Sequence, residues 1–180
     1  MRNTFLKATG RAALAVLLLA MFAQIPVSAQ DNSKEEQSGE QTQEAESKRR
    51  GNARKLEGSW NHQGMRLNCQ TGAIIGTFQA LFTFTRGGTF WESGSQISPS
   101  LRSPSHGVWS YQSGRRYTTA FQFFRFNADG TLAGRQIVRQ QIELSHDGNS
   151  YTATATAQVV DVNGNVIANN CAAGEGTRFE

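Results

Sequence analysis

Residues that usually announce chemistry are scarce in this sequence. Its three histidines, His62, His106 and His146, stand far apart, and none forms a metal-ligand spacing with another histidine, a cysteine or a carboxylate. No metal and no cofactor is therefore expected. Ser105 and His106 adjoin, but neighbours on a strand point to opposite faces, and no Asp or Glu is placed nearby to orient the ring, so no catalytic residue is assigned. There are only two cysteines. After the N-terminal region no second apolar run appears, which leaves no stable membrane anchor in the rest of the chain.

The one long apolar run, Ala12 to Ala23, follows Arg2, Lys7 and Arg11 and precedes Ile25-Pro26-Val27-Ser28-Ala29. This is the order of a secretory signal peptide, with Val27 and Ala29 as the small residues before the cut. Cleavage after Ala29 is expected, giving a signal peptide over 1–29 and a secreted or periplasmic product; a retained anchor is the alternative. The full chain carries 18 basic and 14 acidic residues. Loss of three basic residues with the signal leaves 15 against 14, a net charge near +1. A nucleic-acid partner then has little electrostatic support and is not expected.

Residues 30–55 are dominated by Gln, Glu, Ser and Lys, with no aromatic or β-branched aliphatic side chain. Such a segment buries too little apolar surface to offset its conformational entropy, so a disordered polar linker is expected. The remainder, 56–180, is one domain of ordinary size.

Within that domain short strand-like runs alternate with glycine turns at Gly72, Gly87-Gly88, Gly114, Gly130, Gly148 and Gly164, plus one longer loop from Gly94 to Ser105. Seven connections join about eight strands, mostly to their neighbours. The pattern predicts an all-β fold, an eight-stranded antiparallel up-and-down β-barrel. Cys69 ends the first strand and Cys171 lies in the last, and those strands are neighbours in a closed barrel. A Cys69–Cys171 disulfide is expected, closing a loop worth up to about 4.7 kcal/mol in the chain-entropy account.

Alternation assigns an inside and an outside. Phe78, Ala80, Phe82 and Phe84 share one face of the second strand, and Tyr151, Ala153, Ala155, Ala157 and Val159 share one face of the seventh. In the sixth, Gln136 and Gln140 fall in phase with Leu132, Val138, Ile142 and Leu144, so both amides must meet each other, water or a ligand. Two strands break phase. The first changes at Gly64, as a bulge would require. The fifth has Tyr117, Phe121 and Phe123 on one face and Phe124 and Phe126 on the other, from a bulge near Phe123 or an outer apolar patch beneath the linker.

Gly58-Ser59-Trp60 opens the first strand and Thr177-Arg178 closes the last. This resembles the lipocalin or wider calycin pattern, in which a Gly-x-Trp packs its indole under the barrel and an arginine from the final strand lies across it. The resemblance implies a structural pair, Trp60 and Arg178, at one end. Leu56-Glu57-Gly58-Ser59-Trp60, Ser103 to Trp109 and Asp147 to Tyr151 are also similar to phrases of secreted bacterial calycin-type proteins, a likeness that brings a fold and no established activity. The Thr-Asp-Tyr phrase of many lipocalins is missing, which points to a shorter calycin-like barrel.

The expected function is to hold a small, mainly apolar molecule inside the barrel. Its walls would be Phe78, Phe82, Phe84, Phe121, Phe123, Ala153 and Ala155, with Gln136, Gln140 and His62 as polar handles and Trp109 with the loop Gly94 to Ser105 at the entrance. The alternatives are an isomerase or cyclase of barrel type, which needs a carboxylate or histidine inside, with Glu92 the one carboxylate placed to enter, and a non-pocket adhesion module, which needs Phe124 and Phe126 together on the surface.

Overall fold

The computed structural model describes residues 33–179, so the expected cleavage after Ala29 lies outside the described residues. After a helix α1 (Ser33–Arg54) come β1 (Gly58–Leu67), β2 (Ile74–Phe84), β3 (Thr89–Gly94), β4 (Ser105–Ser113), β5 (Arg116–Phe126), β6 (Leu132–Leu144), β7 (Ser150–Val160) and β8 (Val166–Arg178), with a 3-10 turn at Pro99–Leu101 in the one long loop. Every strand pairs antiparallel with the next, and β8 returns to β1 to close the barrel. The fold is the expected eight-stranded up-and-down barrel, consistent with a lipocalin-like architecture. All the turn glycines singled out from sequence have positive φ, the conformation that a side chain resists.

Closure is clamped at both ends of the β1–β8 seam. At one end Trp60 lies opposite Arg178 in the ladder, and the guanidinium sits over the indole at 4.3 Å. Arg178 also donates to the carbonyls of Glu57 (2.9 Å), Lys55 (2.8 Å) and Gly148 (3.0 Å). The Trp60 indole N–H donates to Leu56 O at 3.0 Å. With Phe84, Trp109, Tyr117 and Leu144, all buried, these groups make a closed floor. At the other end Cys69 and Cys171 form a disulfide, next to Leu67 paired with Cys171 in the ladder.

Where composition led to a disordered linker, the structure has the helix Ser33–Arg54. Glu, Gln, Lys, Arg and Ala favour helix without any core to pack on. Its residues from Thr42 to Gly51 are exposed. Its C-terminal end is held: Tyr117 O–H donates to Asn52 O at 2.6 Å, and Leu56 just beyond is fully buried in the floor.

The phase break in β1 has an explanation other than the bulge expected at Gly64, while β5 has a register irregularity a little beyond Phe123. The ladder runs through Gly64 without a bulge, in register with Phe78 on one side and Gly174 on the other. Gly64 is buried in phase with Trp60 and His62, and a Cβ there would strike the Phe78 ring, so the glycine is a seat for that ring. The irregularity falls further on, between Arg66 and Leu67. In β5 the inward phase holds through Tyr117, Thr119, Phe121 and Phe123. Phe124, next in the alternation, faces outside at 55% exposure, and the register shifts beyond it, between Arg125 and Phe126. The helix contacts β4, so it is not what covers Phe124. Leu132, expected inside, is half exposed at the start of β6.

The Arg178→Met variant removes the charge over Trp60 and leaves three carbonyls without their donor. Denaturant unfolding should show it less stable by about 2 to 4 kcal/mol, while Arg86→Met, an exposed neighbour of the same end, changes stability by under about 0.5 kcal/mol.

Candidate functional site

Because β1 runs away from the floor and the strands alternate in direction, one end of each strand reaches an opposite rim. This rim carries the disulfide, the loop from Ser95 to Pro104 and the turns β1–β2, β5–β6 and β7–β8. Beneath it lies a cavity of about 280 Å³, just under the usual range of about 300 to 1,000 Å³ for small-molecule sites. It extends from the level of His62 and Phe82 to Arg66, Ile75 and Asn170 at the exposed rim.

The cavity has an unequal wall. On one side stand the rings of Phe78, Phe82 and Phe121; on the other are Ala153, Ala155 and Ala157 of β7 and Ala172 of β8. Small side chains on one wall leave volume that the opposite rings only partly fill. Toward the floor this space is used up: Phe82 packs edge-on to Phe90 (5.1 Å between centroids), and Phe84 stands edge-on to Trp109 (6.0 Å). Gly176 matters in that lower part, because a Cβ there would run into the Tyr151 ring.

Of the residues expected to line a ligand site, Phe78, Phe82, Phe121, Gln136, Gln140, Ala153, Ala155 and His62 border the cavity. Phe84, Phe123 and Trp109 do not. Phe84 belongs to the floor. Trp109 was expected at the entrance, but β4 starts at the rim with Ser105 and descends, so four residues on its indole N–H bonds Thr85 O (2.9 Å) near the opposite end. Phe123 is buried beneath Arg102, whose guanidinium lies 3.9 Å from its ring centre.

The polar handles differ in occupancy. Gln140 accepts a hydrogen bond from Thr119 at 3.1 Å, an internal pairing. Gln136, 8% exposed, has no side-chain hydrogen bond among the described residues and faces the cavity. His62 is 3% exposed, lies flat on Phe82 at 4.4 Å and meets the Tyr151 hydroxyl through Nδ1 at 3.1 Å. Burial lowers its pKa to about 4, so the ring is neutral at ordinary pH. Burial likewise raises the Tyr151 phenol well above its usual range.

A buried polar cluster escaped the sequence reading. The β3–β4 ladder sets Ser105 opposite Glu92, and Arg102 folds in from the loop to bond both Glu92 oxygens (3.2 and 2.6 Å) and the Ser105 hydroxyl (3.0 Å). Ser105 in turn donates to Glu92. All three are buried. Glu92 was recognised as the one carboxylate able to enter; its partner was not, because a loop arginine carries no periodicity to mark its direction. His106, next to Ser105, points outward against Trp91 at 4.3 Å. Phe121 and Phe123 lie inside, so the run from Phe121 to Arg125 offers solvent one aromatic face, that of Phe124.

No protein-family model matches this sequence, and no curated protein is significantly similar to it.

Two outcomes follow for the site's internal groups. Unfolded histidine titrates near 6.5 and His62 near 4, so as pH falls through that window the unfolded chain takes a proton the folded one refuses. Stability should fall by about 3 kcal/mol between pH 6.5 and 4, at about 1.4 kcal/mol per pH unit, and level off below; His62→Phe should remove that part of the slope in urea melts at successive pH values. Glu92→Gln leaves Arg102 charged and unpaired in the interior and should cost about 3 to 5 kcal/mol by the same melts, whereas Glu92→Leu combined with Arg102→Met should cost clearly less.

Proposed function

We propose that this is an exported calycin-like binding protein that holds a small, mainly apolar molecule in the upper half of its barrel. The observation that carries the reading is the cavity itself: about 280 Å³ open to the rim, walled by Phe78, Phe82 and Phe121 against alanines, in a barrel whose lower half is filled. Larger side chains in place of Ala153, Ala155 and Ala157 would close the space; the alanines leave it open. Gln136 adds an unengaged amide in the wall, the kind of isolated polar group that orients a ligand in an otherwise apolar pocket. The disulfide supports a location outside the reducing cytoplasm, secreted or periplasmic, in keeping with the N-terminal signal pattern.

The isomerase or cyclase reading needs a free acid or base inside. Both oxygens of Glu92 are held by Arg102, with Ser105 on one of them, and His62 is tied to Tyr151. Neither is poised to move a proton, which favours a container over a catalyst. The adhesion reading needs Phe124 and Phe126 together on the surface, and of that pair Phe124 alone is well exposed, since Phe126 is half-buried.

Native mass spectrometry of the protein taken from its source should show a bound small molecule that leaves on denaturation; a mass equal to the bare chain, together with no uptake of apolar dyes, would refute the reading. Ala155→Phe should fill the cavity and weaken binding of the dye N-phenyl-1-naphthylamine by tenfold or more in fluorescence titration, at a stability cost of about 1 to 3 kcal/mol.

A further inference from the structure

The charges around the cavity do not cancel. Inside, Glu92 is neutralised by Arg102 at 2.6 Å, and the pair is buried and satisfied. His62 faces the cavity as a neutral ring. Two further guanidiniums border the same space, Arg66 of β1 and Arg125 of β5. In an eight-stranded ring these strands face each other across the mouth. Among the described residues neither guanidinium makes a hydrogen bond or ion pair, and the Nε of Arg125 is buried there without a hydrogen-bond partner.

The acidic groups of the mouth turns are engaged elsewhere. Asp129 accepts from the Thr131 amide and hydroxyl (3.0 and 2.6 Å), and Asp161 from the amides of Asn163 and Asn165 (2.9 and 2.8 Å) and the Asn165 side chain (3.0 Å). The cavity mouth thus presents two uncompensated cations above an apolar interior. A buried N–H without a partner is costly to keep, and an arginine fork is suited to a carboxylate.

We infer that the ligand is an amphiphile with a single anionic head, a carboxylate, held at the mouth by Arg125 with Arg66 facing it, and with an apolar tail directed toward Phe82 and Phe121. This names the ligand class within the small-molecule reading above and rests on it. The volume limits the tail to a short chain; a fully extended long-chain lipid would project past the rim. The polar amide of Gln136 lies in the wall beside the tail's path and is free to meet a hydroxyl or carbonyl on it.

Isothermal titration of the disulfide-intact protein with decanoate, decan-1-ol and decyltrimethylammonium separates the possibilities. Decanoate should bind at least tenfold more tightly than the alcohol, and the cation more weakly than either. Arg125→Gln should remove most of the preference for decanoate while leaving decanol affinity within about twofold, which also reports that the barrel is intact. Arg66 is exposed, so Arg66→Gln offers a second variant whose folding is not in question; it should reduce the preference by a smaller factor. Equal affinity for decanoate and decanol overturns the assignment of an anionic head and leaves the small-molecule reading standing. Failure of all three probes to bind overturns both.

Discussion

Closure of β8 onto β1 is the constraint on which everything else in this protein rests. An open eight-stranded sheet has two unpaired edges and no inside; joined, it has an interior that must be filled, emptied for a ligand, or both. Here the seam is fastened at its two ends by different means. At the floor Arg178 spans the indole of Trp60 and the carbonyls of the entering chain. At the rim the disulfide crosses from the end of β1 to β8. Between them the seam is built from small residues, with Gly64, Gly174 and Gly176 facing inward. Rings seated against them, Phe78, His62 and Tyr151, lie closer to the seam than any side chain would permit.

The two ends then divide the labour. The floor is packed with Trp60, Phe84, Phe90, Trp109, Tyr117 and Leu144, and the chain leaving the helix plugs it through Leu56. The upper half is held open by the alanine wall of β7 and kept in shape by the Glu92–Arg102–Ser105 cluster, which ties the loop to β3 and β4. A buried ion pair contributes little net stability, but it fixes geometry when fully bonded. Here it fastens the one long loop beside the cavity and places Arg102 over Phe123.

Much of this was legible in sequence because strands carry a period of two and turns demand glycine. The alternations in β2, β6 and β7 predicted the inner faces of those strands, and the positions of the two cysteines predicted their pairing. What stayed hidden was whatever alternation does not encode. Arg102 lies in a loop, so neither its inward turn nor its partner Glu92 could be read together. Trp109 was placed at the wrong end because a face assignment says nothing of height along the barrel; that depends on strand direction and on where β4 begins. Gly64 looked like a bulge because an inward glycine and an inward ring from the next strand are indistinguishable, in one strand's pattern, from a change of phase. Helix α1 followed from local propensity, which an argument from burial alone does not weigh.

The central claim is that the space above His62 and below the rim receives an apolar molecule. Isotope-edited NMR with decan-1-ol tests it most directly. The account predicts intermolecular nuclear Overhauser contacts from the alcohol's terminal methyl to the Phe82 and Phe121 rings and to the Ala153 and Ala155 methyls, all of which line the cavity. Contacts confined to outward-facing side chains such as Val108, Leu81 and Phe124, with the interior methyls unmoved, would contradict it.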